Sequence, residues 1–142
     1  MTAGTLRAAV FTVALFITHG IAHGLASACE PAPIGADAER IAGQRFVIDW
    51  RVEPAPLRLS EFFAVVVSAC ERRGEQMTRV RVDATMPAHR HGMNYAPTVT
   101  SESGGRVRAS GLLLHLPGRW EFTFDLAGDS SREVLRSAVE LK

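Results

Sequence analysis

The stretch from Arg106 to Leu126, "RVRASGLLLHLPGRWEFTFDL", leaves this chain few architectures. Trp120, Phe122, Phe124 and Leu126 alternate with Glu121, Thr123 and Asp125. Alternate residues of an extended strand project to the same side, so this segment has one large apolar face and one polar face. Pro117-Gly118 just ahead of it suits a tight turn with positive φ at the glycine, and "RVRASGLLLHL" supplies the partner strand. A hairpin with such a face needs a second layer to cover it, and Trp120 is expected to be buried there.

The rest of the chain repeats the theme. In "QRFVIDWR", Phe46, Ile48 and Trp50 oppose Arg45, Asp49 and Arg51, with Val47 on the second face. Pro54 and Pro56 then interrupt, since proline cannot donate to a strand ladder. "SEFFAVVVSAC" is aromatic and β-branched, a strand buried on nearly both faces. After the polar turn "ERRGEQ", the segment "MTRVRVDAT" alternates Val80, Val82 and Ala84 inward against Arg79, Arg81 and Asp83 outward. "APTVTSES" is a short strand turned by Gly104-Gly105. The tail "REVLRSAVELK" fits a helix or a closing strand, and its place after six strands favours the strand. About seven short strands separated by turns predict an all-β antiparallel sandwich of immunoglobulin or cupredoxin type.

The N-terminus has the layout of a secretory signal: Arg7, the apolar run Ala8 to Ile17, and Ala26-Ser27-Ala28 as a cleavage site. The organisation expected is therefore a signal peptide over 1–28, an irregular arm over 29–43 and a β-sandwich domain over 44–142, in a periplasmic or secreted protein. The alternatives are a membrane anchor, either the uncleaved leader or a lipid on Cys29, since "ASAC" resembles a lipobox. Past the leader no membrane span is expected. Arg7 is the only charged residue of the leader, so the rest keeps 15 basic and 15 acidic residues. That balance gives no reason to expect nucleic acid as a partner. The two cysteines, Cys29 and Cys70, suit a disulfide in an exported chain, worth roughly 3–4 kcal/mol in the chain-entropy model. Metal binding by both thiols is the other reading.

Chemistry concentrates in "MPAHRHGMNY", residues 86–95. Past the leader the histidines are His89, His91 and His115, and the methionines are Met77, Met86 and Met93. Four of these six lie within eight residues. In extended chain His89, His91 and Met93 share a face. Met86 reaches the same point only if the chain bends at Pro87, and His115 could arrive from the hairpin turn. Imidazole with thioether suits copper, with copper(I) favoured by the sulfur and copper(II) possible on the histidines. The absence of carboxylates from the stretch argues against calcium and magnesium, and zinc would usually add cysteine or carboxylate. The plainer alternative is a hydrogen-bonded histidine turn with methionine as core filler.

"MPAHRHGMNY" followed by "GLLLHLPGRWEFTFDL" resembles the YtkA-like family of small exported domains, which pair an MPxHxHGM-type loop with a later H-x-P-G-x-W hairpin. The resemblance covers roughly Phe46 to Leu126. It implies an immunoglobulin-like sandwich and a role in copper handling, with Met86, His89, His91, Met93 and His115 as metal-site residues. Relatives often have methionine where this chain has Leu116.

The expected function is thus a periplasmic protein that holds or delivers copper, with a copper-donating or copper-accepting envelope protein as its partner. A non-metal immunoglobulin-like envelope interaction module is the alternative. An enzyme is not expected, because neither a nucleophile elbow nor a paired-carboxylate pattern is present. A blue-copper carrier would need a cysteine ligand, and Cys70 precedes Met86 by sixteen residues, an order that fits such a site poorly.

Overall fold

The computed structural model describes residues 29–142; the proposed leader lies outside the described residues. Nine antiparallel strands form two sheets. The first sheet has the order β1 (Glu39–Ala42), β2 (Phe46–Glu53), β3 (Phe62–Glu71), β7 (Arg106–Leu113), β6 (Thr98–Ser101). The second has the order β5 (His91–Gly92), β4 (Met77–Met86), β8 (Gly118–Gly128), β9 (Arg132–Leu141). The expected all-β antiparallel sandwich is the fold, and the ambiguous tail is its closing strand β9.

Alternation places the side chains as the sequence predicts. Trp120, Phe122, Phe124 and Leu126 of β8 are fully buried, as are Phe46 and Ile48 of β2 and Val65 of β3. Val80, Val82 and Ala84 of β4 face the same interior. Trp50 packs at ring-centroid distances of 5.2 Å from Phe122 and 5.1 Å from Phe124, which locks the two sheets together. β2 ends at Glu53, immediately before Pro54.

Two features correct the sequence reading. The arm over 29–43 is not wholly irregular: Glu39–Ala42 pairs with β2, and Arg40 bonds Asp49 across that pair. The segment has no alternation to announce it, and β2 dictates the pairing. The other is β5, a two-residue strand held opposite Thr85 and Met86. Cys29 and Cys70 are disulfide-bonded, tying the segment ahead of β1 to the end of β3. A sulfur in that bond has no valence left for a thioether-linked lipid, so the disulfide and lipidation of Cys29 exclude one another.

Carboxylates clasp the turns at the end near β3 and β9. Glu133 accepts the backbone N–H groups of Gln44, Arg45 and Phe46 at 2.8, 3.0 and 3.0 Å. Gly43 permits the approach, since a Cβ there would meet Glu133 Oε2 at 2.4 Å. Partial burial alone would raise this carboxyl, but the three N–H donors outweigh it and hold it below its ordinary range. Glu75 accepts from Ser130 through hydroxyl and backbone, and from the Ser131 hydroxyl, which pulls it down from 4.5 to about 2.

Two outcomes follow. Trp120→Ala is expected to cost about 3–5 kcal/mol in urea denaturation, the range for emptying a large aromatic site; a loss below about 1 kcal/mol would contradict the packing. Because the folded state depresses both carboxyls, their stabilisation is complete above the ordinary 4.5 and is lost on acidification below it, for Glu75 as pH falls toward about 2. The urea midpoint should therefore drop across that window, and Glu133→Gln should make the drop shallower. An equal drop in both proteins would contradict the clasp.

Candidate metal centre

The quoted stretch lies at one end of the sandwich. β4 closes with Met86, the chain turns through residues 87–90, and β5 returns with His91 directly opposite Met86. Backbone bonds from His89 N–H to Met86 O (3.1 Å) and from Arg90 N–H to Pro87 O (3.4 Å) hold the turn. The bend expected at Pro87 is present.

The parity argument fails between His89 and His91. Arg90 has φ 53°, a left-handed conformation that breaks the two-residue alternation between His89 and His91. Their rings nevertheless lie 6.5 Å apart, brought together by the turn instead of by an extended strand. Met86 and His91 are opposed in register, and opposed residues of an antiparallel pair present their side chains to the same face. Met86 is 2% exposed and reaches the interior, whereas His91, at the open end of the sandwich, is exposed.

His115 reaches His91 from the connection between the two sheets. It follows β7, and its ring lies 6.3 Å from that of His91, nearly perpendicular at 90°. The expected hairpin is absent: β7 and β8 lie in different sheets and do not pair, so Pro117-Gly118 ends a crossover from one sheet to the other, because each strand finds its partners elsewhere, β7 in β3 and β6, β8 in β4 and β9. Gly118 has φ 119°, as a tight Pro-Gly turn requires, and a Cβ on it would lie 3.1 Å from Met86 Cε. Trp120, five residues after His115, faces it across the turn at a ring distance of 5.8 Å and donates its indole N–H to Leu116 O at 2.8 Å. The Nδ1 atom of His115 is buried and has no hydrogen-bond partner. Met93 is half-buried, packs against the core, and lines a cavity of about 640 Å³ together with Arg81, Asp83 and Tyr95.

The chain thus joins His91, Met86 and His115 about the β4–β5 turn, with His89 beside His91 on the exposed side. A metal–nitrogen bond of about 2.0–2.1 Å places an ion about 3.2 Å from an imidazole centroid, so two ligand rings lie at most about 6.4 Å apart. The His91–His115 spacing sits at that outer limit and the His89–His91 spacing just beyond it. In keeping with this, among the described residues no group of three or more His, Cys, Asp or Glu converges tightly enough for a metal. Trp120, which sequence reasoning treated as core alone, belongs beside the site; the spacing His115–Trp120 across Pro117-Gly118 carried that signal.

No family model matches the chain, and no curated protein matches it. Among solved structures, the crystal structure of a DUF4426 family protein from Pseudomonas aeruginosa PAO1 is similar, with a TM-score of 0.52 at 11% identity, over 72% of this chain and 93% of that one. At that identity the likeness shows the fold alone.

Gly118 links the turn to the site, so Gly118→Ala is expected to cost about 1–3 kcal/mol through the strain of positive φ and the contact with Met86. Urea denaturation at neutral pH checks this, and an unchanged midpoint would mean that the turn is not built on this glycine.

Proposed function

We propose that this protein holds or delivers copper in the periplasm, through His91, His115 and Met86, with His89 and Met93 as further ligands. One observation carries the reading: His115, on the crossover between the two sheets, stands 6.3 Å from His91, and its buried Nδ1 has no partner among the described residues. A buried polar atom without a partner costs about 1–3 kcal/mol, a cost that a metal bond at that nitrogen would offset. The donor set selects the ion. Imidazole and thioether without carboxylate suit copper(I), while copper(II) would rest on the imidazoles. Bound copper would link the two sheets at their open end. The resemblance to YtkA-like domains and the leader pattern support the same reading, which describes a binding protein with no catalytic role.

The interaction-module alternative keeps the same fold and treats the turn as structure. Copper titration separates the two. One copper per chain is expected, with quenching of Trp120 emission because the ring lies 5.8 Å from His115. His91→Ala should abolish tight binding of both oxidation states, whereas Met93→Ile should weaken copper(I) and spare copper(II). Both variants should stay folded, since His91 is exposed and Met93 lies outside regular strand. If the wild type binds neither copper(I) nor copper(II), the interaction module takes the place of this reading.

A further inference from the structure

The end of the sandwich that carries His91 and His115 is assembled from three segments, 54–62, 86–97 and 113–119. The Ser60 N–H bonds Leu114 O at 2.8 Å, Phe62 pairs with Leu113, and the rings of Phe62 and Tyr95 meet edge-on at 5.5 Å. This surface exposes apolar groups that the core does not use: Phe62 is 59% exposed, Tyr95 50% and Leu59 39%. The ionisable groups there other than histidine and tyrosine are Arg58, Glu61, Arg90 and Arg119, joined by Glu140 and Lys142 at the adjoining end of β9, all exposed. Among the described residues none of the three arginines has a carboxylate within 4.0 Å, and Arg119 has none even though Glu140 faces it in register. Elsewhere Arg40, Arg51, Arg79, Arg108, Arg132 and Arg136 pair with carboxylates, while Arg45, Arg72, Arg73, Arg81 and Arg106 do not; what sets this end apart is that its unpaired arginines surround exposed aromatic rings.

We propose that this end is a docking face for an acidic copper-exchanging protein, with Phe62 and Tyr95 at its centre and Arg58, Arg90 and Arg119 as its cationic rim. The proposal rests on the copper reading above. For copper to pass between two proteins, ligands of both must reach one ion, so the surfaces must meet at the site. An exposed aromatic centre with a charged rim is the anatomy of such a contact. The sign of the rim selects the partner: three arginines and Lys142 outnumber Glu61 and Glu140, so the rim repels a basic surface and attracts an acidic one. Bound copper adds further positive charge at the same place. Such attraction acts mainly on the rate of encounter, and salt screens it over about 10 Å at 0.1 M.

The test uses two synthetic methionine peptides that bind copper(I), identical except that one carries four glutamates and the other four lysines. Each is loaded with copper(I) and mixed anaerobically with the copper-free protein, and transfer is followed by Trp120 emission. At low ionic strength the acidic peptide is expected to deliver copper about tenfold faster or more. The gap should close at high salt, and also in the variant Arg58→Glu, Arg90→Glu, Arg119→Glu, which retains every proposed ligand. Far-ultraviolet circular dichroism of that variant checks that it is folded. Equal delivery from the two peptides, faster delivery from the basic one, or delivery from neither overturns the proposal. A direct copper(I) titration of the same sample keeps the two claims apart: a protein that binds titrated copper but ignores peptide charge loses the docking face alone, and one that binds no copper loses both.

Discussion

The structure depends on the inward face of β8. Trp120, Phe122, Phe124 and Leu126 lie on one side of a strand that is hydrogen-bonded on both edges, to β4 and to β9. Their burial against Trp50, Phe63 and the valines of β3 fixes the spacing and register of the two sheets. The functional end inherits its geometry from this packing. β4 is held by β8, so Met86 ends where the register puts it. The turn into β8 starts at His115 and closes under the buried Trp120 ring. Opening the core at β8 would therefore move both the interior sulfur and the cross-sheet imidazole.

Much of this was legible in the sequence, for a physical reason. Strict alternation in "WEFTFDL" and "MTRVRVDAT" declares both conformation and facing, because only the pleat of a strand turns a period of two into one buried side. The doubly buried "FAVVV" run was readable on the same terms; the Pro-Gly hairpin was not, because β7 and β8 pair with other strands in different sheets. The strand at Glu39–Ala42 was not, since nothing local favours it; it forms because β2 offers an edge and Asp49 offers a partner to Arg40. The two-residue strand at His91 likewise exists only through the turn that precedes it.

The candidate site was legible as a concentration of residue types and not in its arrangement. Counting scarce residue types singled out Met86, His89, His91, Met93 and His115. Parity then grouped His89, His91 and Met93 as one extended face, which overlooked the left-handed backbone at Arg90. A single residue in that region reverses facing, and arginine gives no sequence warning of it. The groups that the fold brings closest to His91 are Met86, through strand register, and His115, through the crossing of the chain from one sheet to the other. Neither contact has a local period to announce it. The arginine rim escaped the sequence for the same reason, because Arg58, Arg90 and Arg119 lie on three separate connections that only the tertiary fold gathers.

The central claim is that His91 of β5, His115 of the crossover between the sheets and an interior thioether hold one copper ion. X-ray absorption at the copper edge of the copper(I)-loaded protein tests it most directly. The account predicts a mixed first coordination shell, with imidazole scattering and at least one sulfur, and loss of part of the imidazole signal in His115→Ala. A shell of light atoms alone, or a spectrum that His115→Ala leaves unchanged, would contradict it.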